Sequence, residues 1–593
     1  MTGRIWKFGN DVDTDQIIAS QYLLVSTVEE MTPFAFESIR TDFAANCRSG
    51  DVVVGGSNFG CGSSREQAPM VLKALGVQAV VAKSFARIFY RNAINIGLPV
   101  VVSDDAVKAV PDGASVDMDI AAGTLVVNDS QYGFTPFPDN IKSIVEAGGL
   151  LESINSNAEE ADEDQKPLSE PRPMTLTEKI LAHSAGRPAV KPGDIVTVPV
   201  DRLMTNDATT HVSVGLFENK LKKKSVAIAE KTVGIIDHNV PAESVKTAHV
   251  QNTMRRFCRE QSIALHDGEG VCHQLLAEYY IMPGDIVIGA DSHTPASGAF
   301  GAFAAGVGST DFVGALATGK TWLCVPQTIQ IQLTGSFPRG ADARDLMFML
   351  IGDIGADGAL YSAIEFCGEG VSSMTMPQRM ILCAMAVEAG VKNAVIAADT
   401  VTRDFLQASG RGFDTAKIFS ADDDAVYAKK LSYDLDKLVS GAAVPHGVHK
   451  YAPLKELEDK KIKIDQGFIG SCSAGGIEAL RTAAQILKTR RVHPLVKLII
   501  TPASRKIMQQ AVKEGLVEAF ITAGAMVMNP NCSVCWGACQ GVLGKDEVMI
   551  STGTRNFKGR SGSPESYVYL ASAAAVAVSA IEGFITDPRR FLE

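Results

Sequence analysis

The 593-residue chain is poor in cysteine, has no excess of positive charge and lacks a hydrophobic run long enough for a membrane, and each lack removes a class of function. Eleven irregularly spaced cysteines cannot make the dense framework of a small secreted scaffold, and they fit a reducing compartment better. They are candidates for metal binding or catalysis first. With 56 Lys and Arg against 67 Asp and Glu the net charge is -11, so no global field draws the chain to nucleic acid or anionic lipid. Any anionic ligand must meet a local basic pocket. The opening residues, MTGRIWKFGNDVDTDQII, hold no apolar stretch of the secretory kind, and a cytoplasmic product is expected. The charge-free stretch near the end, SYVYLASAAAVAVSAI, falls short of the ~20 residues of a membrane span and is rich in alanine, which predicts a buried packing helix and no membrane role.

What is present is a large globular composition, 46% hydrophobic and 21% charged. At roughly 100–200 residues per domain, the length predicts about four domains. One segment differs from its surroundings: residues 155–173, NSNAEEADEDQKPLSEPRP, are acidic, punctuated by Ser and Pro, and without a hydrophobic period. They read as a linker, spanning roughly 24 Å as a flexible coil. Before it, residues 1–154 alternate apolar runs such as DVVVGG and LPVVVS with helical patterns such as EQAPMVLKALG, an α/β module. After it, residues 174–593 open with a capped helix, Thr175 followed three residues on by Glu178, and continue as about three further α/β domains.

Three groups of residues carry chemistry. Cys532 and Cys535 form a C-x2-C in NPNCSVCWGAC, and Cys472 sits in FIGSCSAGG, a Gly-rich turn after a strand-like run. Redox dithiols, zinc sites and iron-sulfur sites all use such a pair, and Cys539 could complete a local set. Cys258, Cys324 and Cys383 lie in apolar or helical surroundings and read as core thiols. Three cysteines meeting on loops could hold a 4Fe-4S cluster with one iron lacking a protein ligand. Such a Lewis acid can bind hydroxyl and carboxylate and make hydroxide a tolerable leaving group. A closed electron-transfer cluster is the alternative.

The second group is acid and imidazole: Asp237 and His238 in GIIDHNVP, His273 in GVCHQLL, Asp291 and His293 in GADSHTP, and Glu365 in AIEFCGEG. Strand ends are where α/β enzymes place chemistry, and a carboxylate beside an imidazole orients it and raises its pKa. The third group binds anions. FGCGSSREQ places Ser63, Ser64 and Arg65 at a strand-to-helix junction and lacks the Lys of a nucleotide-binding P-loop. STGTRNFKGRSG adds Arg555 and Arg560, so two arginine loops answer the need for a local basic pocket.

These motifs resemble the aconitase superfamily, and within it the 3-isopropylmalate dehydratases in fused form. Residues 1–154 resemble the small subunit through DVDTDQII, FGCGSSRE and KSFARIFYRNAINIGLP, and residues 174–593 resemble the large subunit through IIDHNVP, GADSHTPASGAFGAFAAGVG, FIGSC, NCSVC and TRNFKGR. The resemblance implies an α/β fold of three domains around an iron-sulfur cluster, with a swivelling β/α domain placed first here. It implies a hydro-lyase that dehydrates, and rehydrates as an isomerase, a small di- or tricarboxylate, the fusion replacing a two-subunit assembly. By position it implies Cys472, Cys532 and Cys535 as ligands of a 4Fe-4S cluster and Ser63 as the base for the carbon-bound proton, supported by Ser64 and Arg65. Asp237 with His238 would protonate the leaving hydroxyl, and the pairs His273 with Asp291 and His293 with Glu365 would complete the site. Arg555, Arg560 and Asn206 would contact substrate.

The chain departs from the family at two points. Ser-Cys-Thr-Asn becomes Ser471-Cys472-Ser473-Ala474, and Thr554 stands where an Asn commonly precedes the arginine. After DTDQII it reads ASQYLLVST, so Leu24 and Val25 occupy the place where homoaconitase-like relatives tend to put an arginine. An apolar wall there rejects a third carboxylate and accepts an alkyl group, which favours a 2-alkylmalate over citrate or homocitrate. Two other classes stand against this reading: an RNA-binding, iron-sensing relative, disfavoured by the net acidity, and a zinc-stabilised binding protein without catalysis.

Overall fold

A computed structural model describes residues 3–19, 22, 27–61, 66–128, 130–156, 170–537 and 539–592. Most of the linker predicted at 155–173, together with Leu24, Val25, Ser63, Ser64 and Arg65, lies outside the described residues. Contacts divide the chain into two compact units. One comprises Met1–Pro167, Gly215–Ala227 and Val307–Thr321, the other Leu168–Val214, Ile228–Gly306 and Trp322–Glu593. The first unit thus takes in two pieces of the chain that lie well beyond residue 154.

The first unit is built on a seven-stranded sheet in the order Val100–Val102, Ala79–Ala82, Val52–Val54, Gly3–Lys7, Ser115–Asp119, Thr124–Val127, Ser130–Gly133. The first four strands are parallel and the rest antiparallel. Their sequences show why. Ala79–Ala82 is apolar and buried throughout, as a strand covered on both faces must be, whereas Ser115–Asp119 alternates exposed and buried residues. The helix Ser309–Thr318 belongs to this unit and packs on Arg87–Asn95 and Leu150–Asn155. A buried ion pair fastens it: Arg91 donates to Asp311 through Nε at 2.8 Å and Nη2 at 2.5 Å. Glu66 caps its first turn, accepting from the Thr310 amide at 2.9 Å and hydroxyl at 2.8 Å.

The second unit contains three larger sheets. Five parallel strands run in the order Ala264–Asp267, Thr232–Ile236, Arg202–Asn206, Ile286–Gly289, Phe303–Gly306. The strand first in sequence, Arg202–Asn206, lies in the middle, so successive crossovers leave it in opposite directions and open a crevice at the carboxyl ends. A second parallel sheet pairs Asn393–Ile396, Ala363–Cys367, Thr328–Thr334 and Lys429–Asp434. The third has seven strands, among them Tyr567–Leu570, Val548–Ser551, Gln466–Ile469 and Lys497–Ile500 as parallel neighbours.

Thr175 and Glu178 form a capping box on the helix Leu176–Ser184, as their spacing predicts. SYVYLASAAAVAVSAI is not one helix: it divides into the strand Tyr567–Leu570 and the buried helix Ala573–Glu582, with the Ser572 hydroxyl capping the break by accepting from Ala575 N. Tyr and Val favour the strand and the alanines the helix. Among the described residues no helix is long and apolar enough to cross a membrane.

Candidate active site

The carboxyl ends of the five-stranded sheet gather the acid and imidazole residues. Arg202–Asn206 delivers Asn206 and Asp207, Thr232–Ile236 delivers Asp237 and His238, and Ile286–Gly289 delivers Asp291 and His293. Two glycines make the last loop possible. A Cβ on Gly289 would come within 2.2 Å of the Thr294 hydroxyl and one on Gly306 within 2.5 Å of the Asp291 carbonyl.

Asp237 and His238 are bonded, Oδ1 to Nδ1, at 2.7 Å, and both are buried. Burial opposes a charge on this imidazole, but Asp237, Asp207 and Asp291 outweigh it and push its pKa up to about 9. The other oxygen of Asp237 accepts from Cys272 N at 2.7 Å, and its carbonyl accepts from Cys532 N at 2.8 Å. Asp237 therefore ties the His238 loop to the helix carrying His273 and to the C-x2-C loop. His273 bonds Asp291 at 2.9 Å through Nε2, and Asp291 also accepts from the His293 amide at 2.8 Å and from Asn206 Nδ2 at 3.3 Å. Burial raises the Asp291 carboxyl, yet His273, His293 and His238 around it hold it well below the usual carboxylate range.

His293 faces Glu388, not Glu365. Its Nε2 lies 3.4 Å from Glu388 Oε1, which also accepts from Arg555 Nε at 2.7 Å. Burial alone would raise Glu388, but Arg555 and His293 bring it down to about 2. Glu365 is spent elsewhere: its oxygens accept from Leu176 N and from the Tyr427 hydroxyl, each at 3.0 Å. It secures the helix at 176–184. The pairing of His293 with Glu365 expected from sequence is corrected accordingly.

The three proposed cluster cysteines come from the third sheet. Cys472 follows Gln466–Ile469 in the short helix Ser471–Ala474, and Cys532 and Cys535 follow Met526–Val527. Ser471 at φ 67° and Ser533 at φ 50° are left-handed non-glycine residues beside two of these cysteines, strain that the bonds of Ser471 to Ser473 and of Ser473 to the Thr552 carbonyl retain. Burial raises the Cys472 and Cys532 thiols, and the neighbouring cysteines with Asp291 and Asp237 push the same way. A thiolate here is unfavourable beside the other anions unless a cation joins them. Asp237, His238 and Cys532 offer ligand atoms within 4.8 Å of one another, as do His273, Asp291 and His293. Half-buried sulfurs on strained turns, converging among anions, are a donor set that fits a soft metal centre.

Residues 178–583 match the Aconitase family (aconitate hydratase), and residues 39–105 match the Aconitase C-terminal domain. The chain belongs to the aconitase family. It is 45% identical over 425 residues to the 3-isopropylmalate dehydratase large subunit of Elusimicrobium minutum, covering 71% of this chain and 100% of that protein. It is 43% identical over 424 residues to a probable methanogen homoaconitase large subunit of Methanothermobacter thermautotrophicus, covering 70% and 98%. A solved 3-isopropylmalate dehydratase from Methanocaldococcus jannaschii, 40% identical, covers 26% of this chain and 93% of that one at a TM-score of 0.25.

In this aconitase-family hydro-lyase the remaining site residues are placed as follows. Arg560 lies beside Trp536, 5.8 Å from the ring centroid, and Trp536 packs edge-on against His238 at 4.8 Å. Thr554 sets its hydroxyl 3.9 Å from the Cys535 sulfur. Cys539 is turned away from a ligand role, its thiol donating to the His238 carbonyl at 3.3 Å. Two further residues of the site stand outside any motif. Asp207 fixes the His238 loop by accepting from the amides of Asp237, His238 and Asn239 at 3.1, 2.9 and 3.2 Å. Glu388, a lone acid in the apolar run MILCAMAVEAG, carried the signal of a buried charge needing a partner.

Proposed function

We propose that the chain is a 4Fe-4S hydro-lyase that dehydrates an alkyl-substituted malate such as 3-isopropylmalate, 2-methylmalate or 2,3-dimethylmalate. The observation that carries the reading is the convergence of Cys472, Cys532 and Cys535 with the His238, His273 and His293 pairs. Bound by the three thiolates, the cluster would leave one iron to accept the substrate hydroxyl and carboxylate and weaken the C–O bond. The residues of the chain supply the rest.

His238, held charged by Asp237, protonates the departing hydroxyl as water. Arg555, fixed through Nε by Glu388, turns its terminal nitrogens to a substrate carboxylate, and Arg560 is a second candidate contact. For the carbon-bound proton we take Ser63, with Ser64 and Arg65 supporting it, on the resemblance of residues 59–67 to the family's serine loop. Loss of that proton and of the hydroxyl from adjacent carbons leaves the double bond. The apolar Leu24 and Val25, and relatives named 3-isopropylmalate dehydratase, support an alkyl substituent. A relative named homoaconitase keeps a tricarboxylate as the second reading. Eleven free cysteines support a reducing compartment, the cytoplasm.

The test is anaerobic reconstitution with iron and sulfide, followed by assays on 3-isopropylmalate, 2-methylmalate, 2,3-dimethylmalate, citrate and homocitrate. Formation of the unsaturated acid from an alkylmalate supports the proposal. A brown, iron-loaded protein that turns over none of the five overturns it.

A further inference from the structure

We propose that a second carboxylate-binding site lies behind the Cys472 turn, in a cavity of about 370 Å³ with Arg344 in its wall. Arg344 is 1% exposed, and its Nε and Nη2 have no hydrogen-bond partner among the described residues. Buried charged donors left in that state are strongly unfavourable. The two open nitrogens form the side-on edge of the guanidinium, the edge that matches both oxygens of a carboxylate.

The same unit uses that edge this way elsewhere. Arg255 holds Asp267 through Nε at 2.6 Å and Nη2 at 3.0 Å, and Arg481 holds Glu514 through Nε at 2.7 Å and Nη2 at 2.6 Å. Arg344 presents the edge without the acid. Asp342 reaches only its Nη1, at 3.5 Å.

The walls favour an anion as well. Four helices begin at the cavity, Ala343–Ile354, Met376–Met385, Ile477–Leu487 and Ala573–Glu582, and first-turn residues of each line it. Their amino ends contribute positive partial charge. The two acids in the wall are already engaged: Asp342 accepts from the Arg344 amide at 2.8 Å, and Glu478 accepts from the Thr375 hydroxyl at 2.8 Å. Cys472, Ser473 and Ala474 close the side toward the catalytic residues, and the short Ala474 side chain leaves room for the ligand. The ligand class is a small mono- or dicarboxylate. This site goes beyond the hydro-lyase reading and does not depend on it.

Calorimetric titration of the full chain with malonate, and separately with inorganic phosphate, tests the proposal. Arg344→Lys keeps the charge but loses the side-on fork and should weaken one malonate site by about tenfold. Ala479→Leu, at a partly buried position of the cavity wall, fills the space while keeping Arg344 and should abolish the same site. If Arg344→Lys does not fold, Ala479→Leu decides alone. Malonate binding unchanged in both variants overturns the site. Binding lost only on Arg555→Lys would belong to the proposed substrate site, overturning the second site while leaving the hydro-lyase reading intact. Phosphate binding tighter than malonate at the Arg344-dependent site overturns the carboxylate assignment.

Discussion

Asp237 and His238 are neighbours in sequence and partners in space, with 2.7 Å between Asp237 Oδ1 and His238 Nδ1. Adjacent residues at a strand end seldom turn their side chains toward one another. Here Asp207 makes it possible by taking the amides of both, so that the backbone folds around one buried carboxylate. The consequence is an imidazole held charged at neutral pH, the state that the proposed donation to a leaving hydroxyl requires.

That imidazole sets a pH dependence. Its pKa is raised from 6.5 to about 9, so the stability it contributes is fully present below 6.5 and is lost as pH rises through about 9. A donor that must be charged gives the same sign for turnover, which should fall on the alkaline side near that value. Asp237→Asn should move the alkaline limb of the kcat profile to lower pH and reduce kcat by about 10²–10⁴-fold. An unmoved limb removes His238 as the proton donor.

Glu388 and Glu365 should separate cleanly. Glu388→Gln removes the charge between His293 and Arg555 and should lower kcat by roughly 10²–10³-fold, together with the melting temperature, since Arg555 is left unpaired. Glu365→Gln should leave the kcat of folded protein near wild type and lower the melting temperature, because Leu176 N and the Tyr427 hydroxyl lose a charged acceptor. Steady-state kinetics beside thermal unfolding distinguishes them, and the reverse pattern would restore Glu365 to the site.

The cysteines make a prediction independent of substrate. Ser at Cys472, Cys532 or Cys535 should each abolish retention of iron after anaerobic reconstitution and desalting, whereas Cys539→Ser should retain it, since that thiol is committed to the His238 carbonyl. Iron and sulfide analysis of the four variants is the check.

The buried pair Arg91 and Asp311 should matter to folding of the first unit. Arg91→Met leaves Asp311 buried and uncompensated and should cost about 3–5 kcal/mol, while Arg91→Met with Asp311→Leu should recover most of it. Chemical denaturation of the two variants reads the difference. Equal losses in both would mean that Arg91 acts through packing.

Much of this site was legible in the sequence, for a physical reason. Asp237, His238, Asp291 and His293 sit directly after apolar strand runs, where a parallel sheet must place its carboxyl ends. The Cys472 turn shows itself by the glycines around it. What could not be read is which side chains meet across the sheet. Glu365 and Glu388 both stand in apolar surroundings, and only the crossovers decide that Glu388 reaches His293 while Glu365 faces Leu176 and Tyr427. Asp207 was hidden by its neighbour Asn206, since a residue whose main partners are backbone amides has no motif of its own. The first unit's claim on Val307–Thr321 was hidden likewise, because Arg91 and Asp311 lie 220 residues apart.

The central claim is tested most directly by the ratio of kcat/KM for 3-isopropylmalate to that for homocitrate, measured on the reconstituted full-length chain under anaerobic conditions. The proposal that the apolar Leu24 and Val25 face the substrate predicts a ratio of at least about 10², because a third carboxylate would be buried without a partner. Turnover of homocitrate or citrate with none of the alkylmalates would contradict it.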